Sequence, residues 1–266
     1  MRKIVFLTIL VFLSIFSFSP ARGGYITIET KTSTTIAGNT MKISVETKNK
    51  GNEPAYNVEI ISSVQSDTRS SKIKEILNVE ETYKSEMDFN LRLDNPGRYA
   101  AVIYVNYTDA NQYPFSAISC LQFSFGENVS SQVFAKSADV EMNNKGKFLL
   151  NIKNLSEKDK EVQIRLIVPK ELSPDNSLKK VSLKARSGEE IRFTINNFSA
   201  LPGSNYQVYS IMEYIESGKH YTSIVPGTIK IEKDEPFYLK YKIVLIIISA
   251  ILVILFLIFQ FKPKSK

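Results

Sequence analysis

From Tyr25 onward, apolar and polar residues alternate with a period of two, which is typical of half-buried β-strands. The alternating runs cover residues 25–30, 41–48, 56–61, 83–93, 99–107 and 113–125. Turn-forming residues separate them at 50–54, 95–97 and 109–111, where Gly, Pro, Asn and Asp gather. Residues 66–71 are predicted to be a polar loop, and 75–79 are ambiguous. About seven strands in roughly one hundred residues predict an antiparallel β-sandwich.

The second half of the chain repeats this plan. Residues 45–51 (Val-Glu-Thr-Lys-Asn-Lys-Gly) match residues 150–156 (Leu-Asn-Ile-Lys-Asn-Leu-Ser), 105 positions later. Residues 57–60 match 161–164, and Tyr107 matches Tyr214, each before a hairpin turn. The repeat predicts an all-β protein with two tandem immunoglobulin-like antiparallel β-sandwiches, at 25–125 and 132–233, joined by a linker at 126–131. One elongated β-domain is the alternative.

Tyr99 and Tyr206 occupy matching places in the two repeats. Each follows a Pro-Gly turn and begins a long penultimate strand. Immunoglobulin-like sandwiches place a tyrosine corner there, in which the phenol bonds back to the backbone. We predict two tyrosine corners, with ordinary core aromatics as the alternative.

The two ends of the chain are strongly apolar. Residues 243–261 carry no charge and would span about 28 Å as a helix, close to the thickness of a bilayer core. They predict a transmembrane helix, rather than a buried soluble one, between a juxtamembrane stalk (234–242) and a basic cytoplasmic tail (262–266). Residues 1–21 read as a signal peptide, or as an uncleaved signal anchor. Together they predict a single-pass membrane protein with its bulk outside the cytoplasm.

Charge and cysteine content narrow the function classes. The formal charge of +7 misleads, because basic residues of the two ends account for much of it and the remainder is nearly balanced. Nucleic acid is therefore not an expected partner. The single cysteine excludes an intrachain disulfide, which suggests a prokaryotic surface protein or cores large enough to do without one.

Candidate catalytic chemistry is sparse. His220 is the only histidine and is expected to be a solvated turn residue, while Cys120 is expected to be either partly exposed or buried and inert. One histidine and one cysteine support neither a catalytic triad nor a zinc site. Glu127, Asp139 and Glu141 are candidate calcium ligands near the linker, but solvated charges are the better interpretation. We therefore predict no enzyme activity and no cofactor.

Four Asn-x-Ser/Thr sequons offer candidate N-glycosylation sites. They are Asn106, Asn128, Asn154 and Asn197. A chain this rich in Asn and Ser would contain several by chance, so they permit glycosylation without predicting it.

Residues 42–60 resemble a known family. Their alternating strand ends in Asn-x-Gly, and a second strand begins Ala-x-x-Val, as in the bacterial cell-adhesion-related domain (CARDB-like) and in immunoglobulin-like repeats of archaeal surface-layer-type proteins. The second repeat departs from this pattern, since Ser156 replaces the glycine. The resemblance implies an extracytoplasmic sandwich used for adhesion, spacing or assembly. The overall layout is more weakly similar to subunits of the translocon-associated protein complex.

Three functional hypotheses follow. The first is a non-enzymatic, membrane-anchored surface protein that presents two immunoglobulin-like domains for adhesion, envelope assembly or protein contact. The second is an accessory subunit of a membrane translocation or transport complex. The third is an extracytoplasmic hydrolase, which would need two or more carboxylates lining one cleft.

Overall fold

The protein is built almost entirely from β-strands. A computed structural model describes residues 24–233 and 240–261, apart from the side chains of 253 and 256–261. The predicted signal peptide, most of the predicted stalk and the basic tail lie outside the described residues. The strands are β1 (Ile28–Ala37), β2 (Thr40–Asn49), β3 (Ala55–Val64), β4 (Asp67–Ser70), β5 (Lys74–Leu77), β6 (Thr82–Asn90), β7 (Gly97–Thr108), β8 (Pro114–Phe125), β9 (Val133–Ser137), β10 (Val140–Met142), β11 (Lys145–Asn154), β12 (Lys160–Ile167), β13 (Leu172–Pro174), β14 (Leu178–Leu183), β15 (Gly188–Asn197), β16 (Asn205–Glu216) and β17 (Lys219–Ile231).

The chain divides into two compact units. The first contains the chain up to Arg92 together with Ala101–Ser119, and the second contains Leu93–Ala100 and the chain from Cys120 onward. The division between these two units falls within β7 and β8.

The first unit consists of two sheets. One is the antiparallel sheet β1-β2-β6, and in the other β3 pairs with β7 on one side and with β4 and β5 on the other. Alternate residues of each sheet are buried, as a sandwich requires. The buried side chains come from both sheets and include Met41, Ile43, Val45, Val58, Ile60, Met87, Phe89, Ile103 and Val105.

The second unit also consists of two sheets. They have the strand orders β13-β15-β11-β9 and β14-β12-β16-β17, and β10 pairs with β17 in parallel. One contiguous core joins them, with Phe148, Leu150, Ile164, Phe193 and Val208 among its fully buried members. The prediction of an all-β protein with sandwich-like sheets is thus confirmed.

Two details of the predicted strands are wrong. The predicted polar loop at 66–71 contains β4, which pairs with β3 after a tight turn in which Gln65 takes a positive φ of 51°. Its polar residues remain outside the core, because an edge strand can satisfy its backbone without burying its side chains. The strand predicted at 25–30 is also longer, since the Thr-rich segment up to Ala37 pairs fully with β2.

The buried face of β8 changes along the strand. In its first half Ser116 and Ile118 are buried, rather than the more apolar pair Phe115 and Ala117. Farther along, Phe123 on the opposite face is buried. The buried face changes because β8 belongs to the first unit up to Ser119 and to the second unit beyond it.

The structure describes one helix, α1 (Lys242–Phe261), which comes after β17 in the chain. Among the described residues, no helix meets both the length and the hydropathy needed to cross a bilayer.

Candidate functional site

The two reactive side chains singled out in the sequence are held in packed surroundings. His220 is half-buried in β17, and its ring stacks on Tyr99 with centroids 4.1 Å apart and planes 4° apart. Its Nδ1 lies 2.8 Å from the Arg98 carbonyl oxygen. The prediction of a solvated turn histidine is therefore wrong, because Tyr99, distant in sequence, covers the ring.

Cys120 lies at the start of the part of β8 that belongs to the second unit. The residue is partly exposed, yet burial raises the pKa of its thiol to about 12, and Arg165 opposes this shift only weakly. A thiol with so high a pKa is almost entirely protonated at neutral pH, so it is a poor nucleophile.

Two of the three candidate calcium ligands, Glu127 and Glu141, are paired with lysines. Glu127 pairs with Lys219, and Glu141 accepts a bond of 2.7 Å from Lys230. Across the described parts of the chain, no three His, Cys, Asp or Glu side chains gather in a way that could hold a metal ion.

Both predicted tyrosine-corner residues bond to backbone a few positions upstream. The Tyr99 hydroxyl donates to the Asn95 carbonyl oxygen at 2.6 Å, and the Tyr206 hydroxyl accepts from the Leu201 N–H at 3.2 Å. The direction of the bond differs between the two, but each fixes the turn that leads into a long strand, β7 or β16.

A second repeated constellation is centred on a buried asparagine at the end of β2 and of β11. Asn49 Nδ2 donates to the carbonyl oxygens of Glu53 (2.8 Å) and Leu77 (3.1 Å), and Oδ1 accepts the Gly51 N–H at 2.9 Å. One side chain thus holds its own turn and a distant segment together. Its partners are backbone groups, so the role is structural.

Asn154 repeats this arrangement in the second unit. Its Nδ2 lies within bonding distance of the carbonyl oxygens of Lys158 (2.8 Å) and Lys184 (3.1 Å), and its Oδ1 accepts the Ser156 N–H at 3.0 Å. Sequence comparison of the repeats aligned Asn49 with Asn154, but it did not show that both side chains are buried. The sequence feature that marks this arrangement is the small residue two positions after the asparagine, Gly51 or Ser156.

The four sequons occupy unlike environments. Asn154 is buried. Asn197 Nδ2 donates to the carbonyl oxygens of Asn143 and Ala200, both at 3.1 Å. A glycan on the side-chain nitrogen of Asn154 or Asn197 would therefore displace hydrogen bonds of the folded unit. At Asn128 the bonds from Arg98 and Ser124 are accepted by Oδ1. The Asn106 Oδ1 is buried without a hydrogen-bond partner among the described residues.

Exposed apolar side chains remain as candidates for function by contact. In the first unit, Ile73 (60% exposed), Ile76 (45%) and Val79 lie within seven consecutive residues around β5. Within the described residues β5 pairs only with β3, at Leu77 with Ala55 for example, so no strand covers its other edge, although the Leu77 carbonyl oxygen accepts the bond from Asn49. Open apolar edges of this kind accept an added strand. We call residues 73–79 the β5 surface.

Comparison with known proteins gives a likeness of fold only. No family model matches the chain, and no curated protein matches it. Similar solved structures include native α2-macroglobulin of Escherichia coli, with 10% identity and a TM-score of 0.34 over 79% of this chain and 17% of that one. Red sea bream transglutaminase has 9% identity and a TM-score of 0.27 over 84% and 33%, and the YadV chaperone has 12% and 0.32 over 75% and 98%. The chain thus spans less than a fifth of the macroglobulin.

Proposed function

We propose that this chain is a non-enzymatic, single-pass membrane protein whose two immunoglobulin-like domains lie outside the cytoplasm and act by protein contact. Residues 243–261 would anchor it and residues 1–21 would direct its export, as their apolar sequences suggest. The observation that carries the proposal is the β5 surface, which combines exposed isoleucines with an open strand edge.

The β5 surface suits a protein partner better than a small ligand. It consists of a short strand and its flanking residues, and the charged residues Lys74 and Glu75 lie between its two isoleucines. Lys74 Nζ forms an ion pair with a carboxylate oxygen of Glu81 at 2.6 Å. The accessible apolar area of this surface therefore belongs to the isoleucines. Backbone pairing along β5 would provide affinity, and Ile73, Ile76 and Val79 would provide specificity.

The test compares two full-length variants in native membranes. Replacing Ile73, Ile76 and Val79 together by serine should remove the stoichiometric partner recovered after cross-linking and mild detergent extraction. Replacing the exposed Phe134 and Leu178 of the second unit by serine is the matched control and should leave recovery unchanged.

The outcomes separate the hypotheses. Loss of the partner only in the triple-serine variant supports contact through the first unit. A partner that is itself a multi-pass membrane protein, and that survives the triple substitution, would favour the accessory-subunit alternative. Hydrolytic activity that copurifies with the chain at constant specific activity would contradict the non-enzymatic proposal.

A further inference from the structure

The loop between β15 and β16 is apolar and uncharged. Residues 196–206 contain no charged side chain, although charged residues make up 23% of the chain. Phe198 is 81% exposed, the highest value among the large hydrophobic residues that the structure describes, and Leu201 beside it is also exposed. Exposed apolar residues that are grouped in this way mark an interaction surface more often than isolated ones do.

The backbone of this loop is held in place by its own side chains. Asn197 Oδ1 accepts the Ala200 N–H at 2.7 Å, and Asn197 Nδ2 donates to the Ala200 carbonyl oxygen at 3.1 Å. The Tyr206 hydroxyl accepts the Leu201 N–H at 3.2 Å. The exposed side chain of Phe198 is therefore carried by a loop whose backbone is fixed by hydrogen bonds. Preorganisation of this kind lowers the entropy lost when a surface engages a partner.

The loop lies at the end of the second unit from which the chain continues to α1. Gly203 N–H donates to the Ile231 carbonyl oxygen at 2.9 Å, and Ile231 N–H donates to the Ser204 carbonyl oxygen at 2.9 Å. A methyl group added to Gly203 would lie 3.7 Å from the Lys233 side chain. The chain from Ile231 to Lys242 makes eleven residue-to-residue steps and reaches at most about 39 Å when extended. With residues 243–261 as the proposed anchor, this is the end of the unit that is tethered to the bilayer, within that distance.

We propose that residues 198–201 insert into the interfacial layer of the same membrane that holds α1, with Phe198 as the main contact. This inference rests on the proposed anchoring. A bilayer fits better than a protein partner, because the loop is uncharged, lies at the end of the unit that leads to the apolar segment, and has the Lys233 side chain beside Gly203. Aromatic and leucine side chains favour the headgroup–acyl boundary, and a lysine beside them favours anionic headgroups.

The chain contains no tryptophan, so one introduced indole reports on one position. The Phe198→Trp variant of the full-length protein is reconstituted into vesicles of phosphatidylcholine and phosphatidylglycerol, with or without bromine on the upper acyl chain. Ile215→Trp is the matched control, since Ile215 is 62% exposed near the far end of β16, about 30 Å along the strand from Asn205.

We expect the Phe198→Trp indole to emit at shorter wavelength and to lose about half its fluorescence in brominated vesicles, because interfacial side chains reach about 5–10 Å into the boundary. The Ile215→Trp indole should be unaffected by bromine and quenched by aqueous acrylamide. Equal thermal midpoints for both variants and the wild type check the fold, and Leu201→Trp provides a second reporter in the same loop.

Failure of the inference is distinguishable from failure of the anchoring. If the protein floats with the vesicles and resists carbonate, but neither loop indole is quenched by bromine, the inference is overturned and the anchoring stands. An indole shielded from both acrylamide and bromine would mean that protein covers the loop, which also overturns it. Release of the chain by carbonate would overturn both proposals.

Discussion

The buried asparagine at the end of β2 provides a sharp test of the fold. Asn49 makes three side-chain hydrogen bonds to backbone groups, and its side chain is fully buried. A hydrogen bond contributes about 1 kcal/mol net, so Asn49→Ala should lower the free energy of unfolding of the first unit by about 3 kcal/mol. At about 4–8 °C for each kcal/mol in a domain of this size, the thermal midpoint should fall by roughly 12–24 °C.

The aspartate variant separates hydrogen bonding from size. Asn49→Asp keeps the shape and the acceptor for the Gly51 N–H, but it turns a carboxylate oxygen toward the carbonyl oxygens of Glu53 and Leu77. Because a carboxylate oxygen and backbone carbonyl oxygens are all hydrogen-bond acceptors, they would repel one another in this buried site. Asn49→Asp should therefore be less stable than Asn49→Ala at pH 7.

The assay is urea unfolding of the full-length protein in detergent, followed by near-ultraviolet circular dichroism of its tyrosines. Asn52→Ala is the control, since Asn52 is exposed in the same turn and its Oδ1 accepts one bond, from the Tyr25 N–H, so its loss should stay below about 1 kcal/mol. Asn154→Ala should affect the transition of the second unit instead. A loss under about 0.5 kcal/mol for Asn49→Ala, or an aspartate variant as stable as alanine, would refute the reasoning.

Two further predictions concern the second unit. Gly97 has φ +147°, and a methyl group there would lie 2.0 Å from the His220 carbonyl oxygen, so Gly97→Ala should cost about 3 kcal/mol or more in the same unfolding assay. Gly218→Ala, with positive φ but open space around it, should cost only about 1–2 kcal/mol, and equal losses would contradict the steric argument. Because burial raises the Cys120 pKa to about 12, its thiol should react slowly with a disulfide reagent at pH 8 and quickly in urea. If the folded protein is labelled quickly, and its labelling rate rises with pH around the ordinary thiol pKa of about 8.5, the burial of Cys120 is contradicted.

Local patterns in the sequence were enough to predict much of the fold. The alternation in β2, β3 and β6 identifies the buried residues, since Met41, Val58 and Phe89 lie in the core as a period of two requires. Edge strands are harder to predict, because β4 pairs through its backbone while its side chains stay polar and exposed.

Contacts between distant residues could not be predicted from one sequence. The ring of His220 is covered by Tyr99, which lies 121 positions earlier, and no local pattern links the two. The two-faced burial of β8 likewise depends on which unit each half joins. At the candidate surfaces, composition shows that Ile76 and Phe198 are apolar, but only their backbone surroundings show that they face outward.

Photo-cross-linking from the β5 surface would show directly whether the first unit contacts another protein. A photoreactive amino acid is placed at Ile76 of the full-length chain in native membranes, and at Ile215 of the second unit as the control. We expect Ile76 to yield one dominant adduct with another protein. Unlabelled chain should compete for this adduct, and serine at Ile73 and Val79 should abolish it. The absence of an adduct at Ile76, or the same adduct from Ile215, would contradict contact through the first unit.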